Sequence, residues 1–203
     1  MKSSDIEVQV GSGAVNVRSF IIGSYPIRGF LAWGDGDTQA LFVDPGGWDD
    51  EILRTVEAFS LTVCAIALTH GHWDHTGGLA EMIARLRAPV YAHADDVRLL
   101  NHAPDVALEG GETIPCGTLG WQVLPVPGHT TGSVAYAASG IVFTGDTLFA
   151  GSIGGTPNQA EYDRERRAIR ERLFPLGDDT RAYPAHGPAT LIGIERRCNP
   201  FLR

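Results

Sequence analysis

Apolar and polar positions alternate, or β-branched residues cluster, over Ile6 to Val10, Val15 to Ile22 and Ala40 to Val43. Successive side chains of an extended chain point to opposite faces, so these stretches predict strands, and the glycines between them predict the turns of a meander. After Asp44-Pro45-Gly46-Gly47 the period lengthens, and Asp49 or Asp50 is placed to cap an amphipathic helix over roughly Glu51 to Phe59. A continuous apolar run from Val63 to Leu68 predicts a buried strand. Leu79, Met82, Ile83 and Leu86 then recur at helical spacing and predict a helix over Leu79 to Leu86. A short strand at Pro89 to Tyr91 and a helix near Ala94 to Leu100 continue a βαβ rhythm. Strands return between Thr113 and Thr144, at Gln122 to Val126, Ser133 to Ala137 and Ile141 to Thr144. A charged helix from about Glu161 to Phe174 precedes a strand at Thr180 to Tyr183 and a helical turn near Leu191 to Arg197. Two strand-rich halves that each carry helices predict an α/β fold: two mixed sheets packed face to face with helices outside, an αββα sandwich. No repeat, low-complexity tract or linker interrupts the 203 residues, so one domain over 1–203 is expected.

Charge narrows the partners. The chain carries 16 basic and 24 acidic residues, a net charge of −8, and its one basic cluster, Arg164-Glu165-Arg166-Arg167, is interleaved with acid and reads as a solvated helix face. Polyanions such as nucleic acid are therefore excluded as expected partners, and a small molecule is expected instead. No apolar run approaches the roughly 20 residues of a membrane span, and the N-terminus turns acidic at Asp5 and Glu7. The cysteines, Cys64, Cys116 and Cys198, are three and scattered, which predicts no disulfide framework and a reduced, cytoplasmic compartment. Cys64 reads as core, and the other two as inert. A homodimer is the oligomer to expect if the chain associates.

The candidate chemistry is concentrated in Thr69-His70-Gly71-His72-Trp73-Asp74-His75-Thr76-Gly77-Gly78, where three imidazoles and a carboxylate fall within six positions. Imidazole nitrogen and carboxylate oxygen are ligands of zinc-class divalent ions. His70 and His72, two apart, project to the same side only in extended backbone, while Asp74 and His75 fall where the chain turns, so one segment can face two points in space. Each ion would still lack ligands. Three further candidates stand at the ends of apolar strands beside glycine or proline: His129 after Pro127-Gly128, Asp146 after Gly145 and His186 after Pro184-Ala185. These seven positions absorb five of the seven histidines; His93 and His102 are given no role.

The order His-x-His-x-Asp-His, then Gly-His, Gly-Asp and a last His resembles the metallo-β-lactamase-fold hydrolases over nearly the whole chain. Within them, residues 69–78 and Phe143-Thr144-Gly145-Asp146-Thr147-Leu148-Phe149 are similar to glyoxalase II, a thioester hydrolase acting on acylated glutathione. Ala185-His186-Gly187-Pro188 and Glu195-Arg196-Arg197-Cys198-Asn199-Pro200-Phe201-Leu202 resemble compact glyoxalase II-like proteins without an extra helical domain. The resemblance implies that His70, His72 and His129 hold one metal, that Asp74, His75 and His186 hold a second, and that Asp146 bridges them. Asp44 matches a carboxylate that orients a ligand histidine. Zinc is the first expectation for both ions, with iron and manganese as alternatives.

A binuclear metallohydrolase follows. Two divalent ions about 3.5 to 4 Å apart would acidify a shared water into a hydroxide and polarise a carbonyl, with Asp74 carrying a proton toward the leaving group. Asp146, where lactamases of this superfamily typically carry cysteine or serine, directs the reading to thioesters. The missing helical domain and the segment Gly151-Ser152-Ile153-Gly154-Gly155-Thr156 depart from glyoxalase II and leave glutathione open. The rivals are a lactonase and a persulfide dioxygenase holding one iron with His70, His129 and Asp146; that family usually has a small residue at the position of Trp73 and an arginine at that of Gly155. Trp73 and Phe149 are expected either to wall a pocket or to pack in the core. Tyr162, Tyr183, Arg196 and Arg197 are candidates for meeting an anionic substrate group.

Overall fold

The computed structural model describes residues 15–203, so the strand expected at Ile6 to Val10 lies outside the described residues. Two six-stranded sheets face each other. The first runs, in spatial and chain order, β1 (Val15–Ile22), β2 (Ile27–Gly34), β3 (Gln39–Val43), β4 (Thr62–Ala67), β5 (Val90–His93) and β6 (Val106–Leu108). Its first three strands form an antiparallel meander; from β3 onward neighbours are parallel. The second sheet comprises β7 (Thr113–Cys116), β8 (Leu119–Pro125), β9 (Val134–Ala138), β10 (Ile141–Gly145), β13 (Arg181–Pro184) and β14 (Thr190–Leu191), in the order β14-β13-β10-β9-β8-β7. A two-stranded ribbon, β11 (Leu148–Phe149) and β12 (Ser152–Ile153), follows β10.

Alternation along single strands explains the layering. On β3, Leu41 and Val43 enter the core between the sheets, while Ala40 and Phe42 face helices α1 (Asp50–Ala58) and α3 (Leu79–Leu86), which contribute Ile52, Val56, Leu79 and Met82. On β10, Ile141 and Phe143 enter the central core, and Val142 turns outward to α4 (Gln159–Ala168) and α5 (Ile192–Cys198). Trp121 and Tyr136 are fully buried in the central layer, each worth about 1.5–3 kcal/mol of apolar burial. The αββα expectation holds. No helix among the described residues is long and apolar enough to cross a membrane.

Where the structure departs from the pattern, the causes are local. β2 was not legible because nearly every residue in it is buried, which erases the period of two. Asn158 caps α4, accepting from the Glu161 N–H at 3.1 Å, so the helix starts two residues earlier than expected. It then widens into a π turn over Ile169–Leu173 and tightens over Phe174–Leu176, as Pro175 removes a donor and crowds the preceding turn. The segment Ala94–Leu99 is a 3₁₀ helix capped by His93, whose Nδ1 accepts from the Asp95 N–H at 3.2 Å. His102 therefore lies beyond the helix end, in a loop.

The cysteine expectation is wrong. Cys64 on β4 and Cys116 on β7 form a disulfide, their Cα atoms 6.1 Å apart although 52 residues separate them. Docking of the two sheets, not sequence spacing, creates the pair, and the cysteines no longer argue for a reducing compartment. Cys198 is free and exposed. The closing motif is structural: buried Glu195 accepts from Gly151 N–H, Thr190 Oγ1 and Asn199 Nδ2, and Asn199 also donates to Ser152 O, which anchors the β11–β12 ribbon.

Candidate metal centre

Strand ends along one edge of the sandwich assemble the candidate cluster. β4 leads through a bend at Thr69 to His70; His72, in extended backbone, caps a single turn, α2 (Trp73–Thr76), which swings Asp74 and His75 to a different point. The second sheet supplies the rest: His129 after β8, Asp146 after β10 and His186 after β13. Two glycines are dictated by this geometry. Gly145 sits at φ +50°, where a Cβ would collide with Thr69 Oγ1, and Gly128 sits at φ +149°, against the Cβ of Glu165.

All seven expected residues converge. His70, His72 and His129 form one group able to hold an ion, and Asp74, His75 and His186 form another; His70, His75 and Asp146 also group. His72 Nδ1 lies 3.0 Å from His70 Nε2 and 3.0 Å from His129 Nε2. The outer nitrogens are already engaged: His129 Nδ1 is 2.7 Å from Gly155 O, and His70 Nδ1 is 3.2 Å from Thr69 Oγ1. Since the Thr69 hydroxyl gives its hydrogen to Asp44, His70 Nδ1 must donate, and two bare lone pairs then face His72. A cation resolves that arrangement; for tetrahedral zinc the ligand nitrogens would be about 3.3 Å apart.

The other group is organised by charge. His75 Nε2 lies 3.3 Å from Asp146 Oδ1 and 3.9 Å from Asp74 Oδ2, and His186 Nε2 lies 3.4 Å from Asp74 Oδ2 and 3.7 Å from Asp146 Oδ1. The other Asp146 oxygen, Oδ2, is 3.7 Å from His129 Nε2, so the two oxygens of one carboxylate face opposite groups. Among the described residues, His75 Nε2 and Asp146 Oδ1 are buried without a hydrogen-bond partner, as expected of atoms reserved for an ion.

Asp44 stands behind both groups. Only 1% exposed, it adopts φ +54°, a conformation that costs an Asp about 1–3 kcal/mol. In return its carboxylate accepts from Thr69 N–H at 2.8 Å, Thr69 Oγ1 at 2.7 Å and His75 Nδ1 at 2.9 Å. The hydrogen on His75 is thereby fixed to Nδ1 and Nε2 is aimed at the cluster. Burial, with the surrounding histidines, holds His70 well below the usual imidazole range, in the neutral form a metal needs. Burial also lowers His72, followed by His129. On His75 burial pulls down, yet Asp44 and then Asp146 prevail and raise it to about 10. For Asp146 burial pulls upward, but the neighbouring imidazoles, His75 foremost, hold the carboxyl below its ordinary value.

Several residues around the cluster carried no sequence signal. Thr69 relays Asp44 to His70. Asp96, 2% exposed, accepts from Gly71 N–H, Gly132 N–H and Thr130 Oγ1, tying the His70–His72 loop to the His129 loop. Glu165 on α4 is fully buried with both oxygens unpartnered among the described residues, and burial, then Asp146, pushes it up to about 8. A cavity of about 630 Å³ opens beside His72 and His129, walled by Arg98, Leu99, Thr131 and Thr156. The residues expected to meet an anion do not line it: Arg196 and Arg197 pair with Asp178, Tyr183 is buried in the central core, and Tyr162 lies under Arg166. Trp73 is not core; 62% exposed, it tilts against Tyr25, which in turn edges His186, with Phe149 on the same histidine.

Comparison with known proteins agrees with this geometry. The family model of the metallo-beta-lactamase superfamily matches residues 30–186. A hydroxyacylglutathione hydrolase, GloC, of Haemophilus influenzae is 31% identical over 193 residues, covering 85% of this chain and 91% of the relative. The crystal structure of the B3 metallo-beta-lactamase BLEG-1 superposes with a TM-score of 0.84 at 28% identity, over 92% of this chain and 99% of that one. A di-iron-bound form of TTHA1623 matches at 32% identity and a TM-score of 0.68, over 96% and 98%.

Proposed function

The chain belongs to the metallo-beta-lactamase superfamily, and from that premise we propose that it is a binuclear metallohydrolase of thioesters, built on one domain. The observation that carries this reading is Asp146, whose two carboxylate oxygens face the two ligand groups. His70, His72 and His129 would hold one divalent ion, Asp74, His75 and His186 the other, with Asp146 shared. The di-iron form of a relative at 32% identity supports a pair of ions; zinc remains the first expectation for this donor set, with iron and manganese next. When bound, such ions acidify water and polarise a carbonyl.

The residues themselves divide the work. Asp44 orients His75 directly and His70 through Thr69. Asp74 Oδ2, 3.4 Å from His186 and 13% exposed, is the atom placed to hold a proton and pass it toward a leaving thiolate. A thioester as substrate is supported by the hydroxyacylglutathione hydrolase relative. Metal analysis of protein purified without added metal, with hydrolysis of S-lactoylglutathione followed in parallel, tests the reading. Two ions per chain and thioester turnover are expected; one iron with oxygen uptake on glutathione persulfide would overturn it. The likeness to a B3 metallo-beta-lactamase makes a β-lactam the substrate to assay beside the thioester and a lactone, and a preference for the lactam would equally overturn it.

A further inference from the structure

Resting on the thioester reading, we propose that Arg98 is the residue that selects substrate, by binding a carboxylate on the part of the thioester that extends into the cavity beside His72 and His129. Arg98 lies at the end of the 3₁₀ helix Ala94–Leu99, and this helix packs on the ligand loop closely enough that a Cβ on Gly71 would come within 2.7 Å of Leu99 Cβ. Among the described residues it is the only lysine or arginine lining that cavity. Of the acids on the same wall, Asp96 spends its carboxylate on Gly71, Gly132 and Thr130, and Asp95 forms no ion pair with Arg98. Among the described residues Arg98 makes no hydrogen bond or ion pair, although the net charge is −8 and most arginines on other elements find an acid.

Gly155 lines the same cavity without a side chain, and a Cβ there would meet nothing within 4 Å among the described residues, so the cavity is open at that point; Thr131 and Thr156 line it as well. A planar guanidinium with five donors on the wall of an open cavity matches a carboxylate, which accepts two parallel hydrogen bonds. The thioester carbonyl then lies at the His72 and His129 end, and the carboxylate at the far end. This orientation sets the substrate class as acyl thiols bearing a carboxylate.

Two lactoyl thioesters of like reactivity make the test: one of N-acetylcysteine, which carries a carboxylate, and one of N-acetylcysteamine, which is neutral. The wild type is expected to prefer the charged ester, and Arg98→Gln to reduce that preference about tenfold to hundredfold, the worth of one hydrogen-bonded charge pair. Arg98→Glu should invert it, whereas Arg85→Gln, on the outer face of α3, should keep it. Calorimetric or NMR titration with the non-hydrolysable N-acetyl-S-methylcysteine and its amide gives a readout independent of turnover: binding of the acid, not the amide, should weaken in Arg98→Gln. Equal preference in wild type and variant, or parallel losses on both esters, overturns the role of Arg98. Turnover of neither ester by the wild type overturns the thioester reading instead, and the titration then decides Arg98 alone.

Discussion

The two ligand groups are a few ångströms apart yet are built on opposite principles. His70, His72 and His129 are three imidazoles positioned by backbone and hydroxyl contacts, open on one side to a wide cavity. Asp74, His75 and His186 combine a carboxylate with an imidazole whose back is held by a buried acid, beneath an aromatic rim of Tyr25 and Trp73. The first group would attract a cation by lone pairs and the second by charge. Removing charge should therefore weaken the second group more than the first, and only Asp146 touches both.

That contrast can be broken in order of expected effect. Asp146→Ala should cut hydrolysis by several orders of magnitude and lower metal content at both positions, measured by turnover and elemental analysis together; selective loss at one position would refute a shared carboxylate. Asp44→Asn should cost about 10- to 100-fold in affinity for the second ion, whose His75 it holds directly, and less for the first, which it reaches only through Thr69, read by competition with a chelator. Uniform loss would mean that Asp44 supports the fold rather than His75. Cys64→Ser, which unlinks the sheets without touching a ligand, should remove about 2–4 kcal/mol, a fall of roughly 5–15 °C in melting temperature, with both groups affected alike.

A smaller effect separates the surroundings of the two groups. Glu165, behind the His129 loop, holds its proton up to about 8 in the folded chain against an ordinary value of 4.5. The folded state thus binds a proton that the unfolded state has released, so this contribution is full below pH 4.5 and is lost as pH rises through about 8. Glu165→Gln should flatten the decline in stability across that window, measured by denaturant melts at several pH values. An unchanged slope would refute the buried neutral acid. Least of all, His93→Ala should cost no more than about 1 kcal/mol, as a cap is lost, and leave metal content intact.

What could be read in advance follows the same division. The candidate ligands were legible because His129, Asp146 and His186 each follow an apolar strand beside glycine or proline, and because the other four fall in a single dense run of imidazole and carboxylate, residues 70–75. Layering was legible from strands such as β3, whose two faces enter different cores. The rest depends on contacts between segments distant in sequence. Cys64 and Cys116 meet only once two sheets have docked, and β2 is buried on both sides and carries no rhythm. Arg98 resembles any exposed arginine until the cavity beside it is formed, while Arg196 and Arg197, more conspicuous in sequence, turn out to be paired with Asp178.

The route of the chain through the cluster has a mechanical side. Each group takes two side chains from the segment after β4 and one from the second sheet, so neither ion could be held by half of the sandwich. Bound ions would act as rivets through a joint that the Cys64–Cys116 cross-link already clamps from within. Such a joint can surrender its rivets without springing apart, which would make exchanging one metal for another a matter of diffusion rather than of refolding.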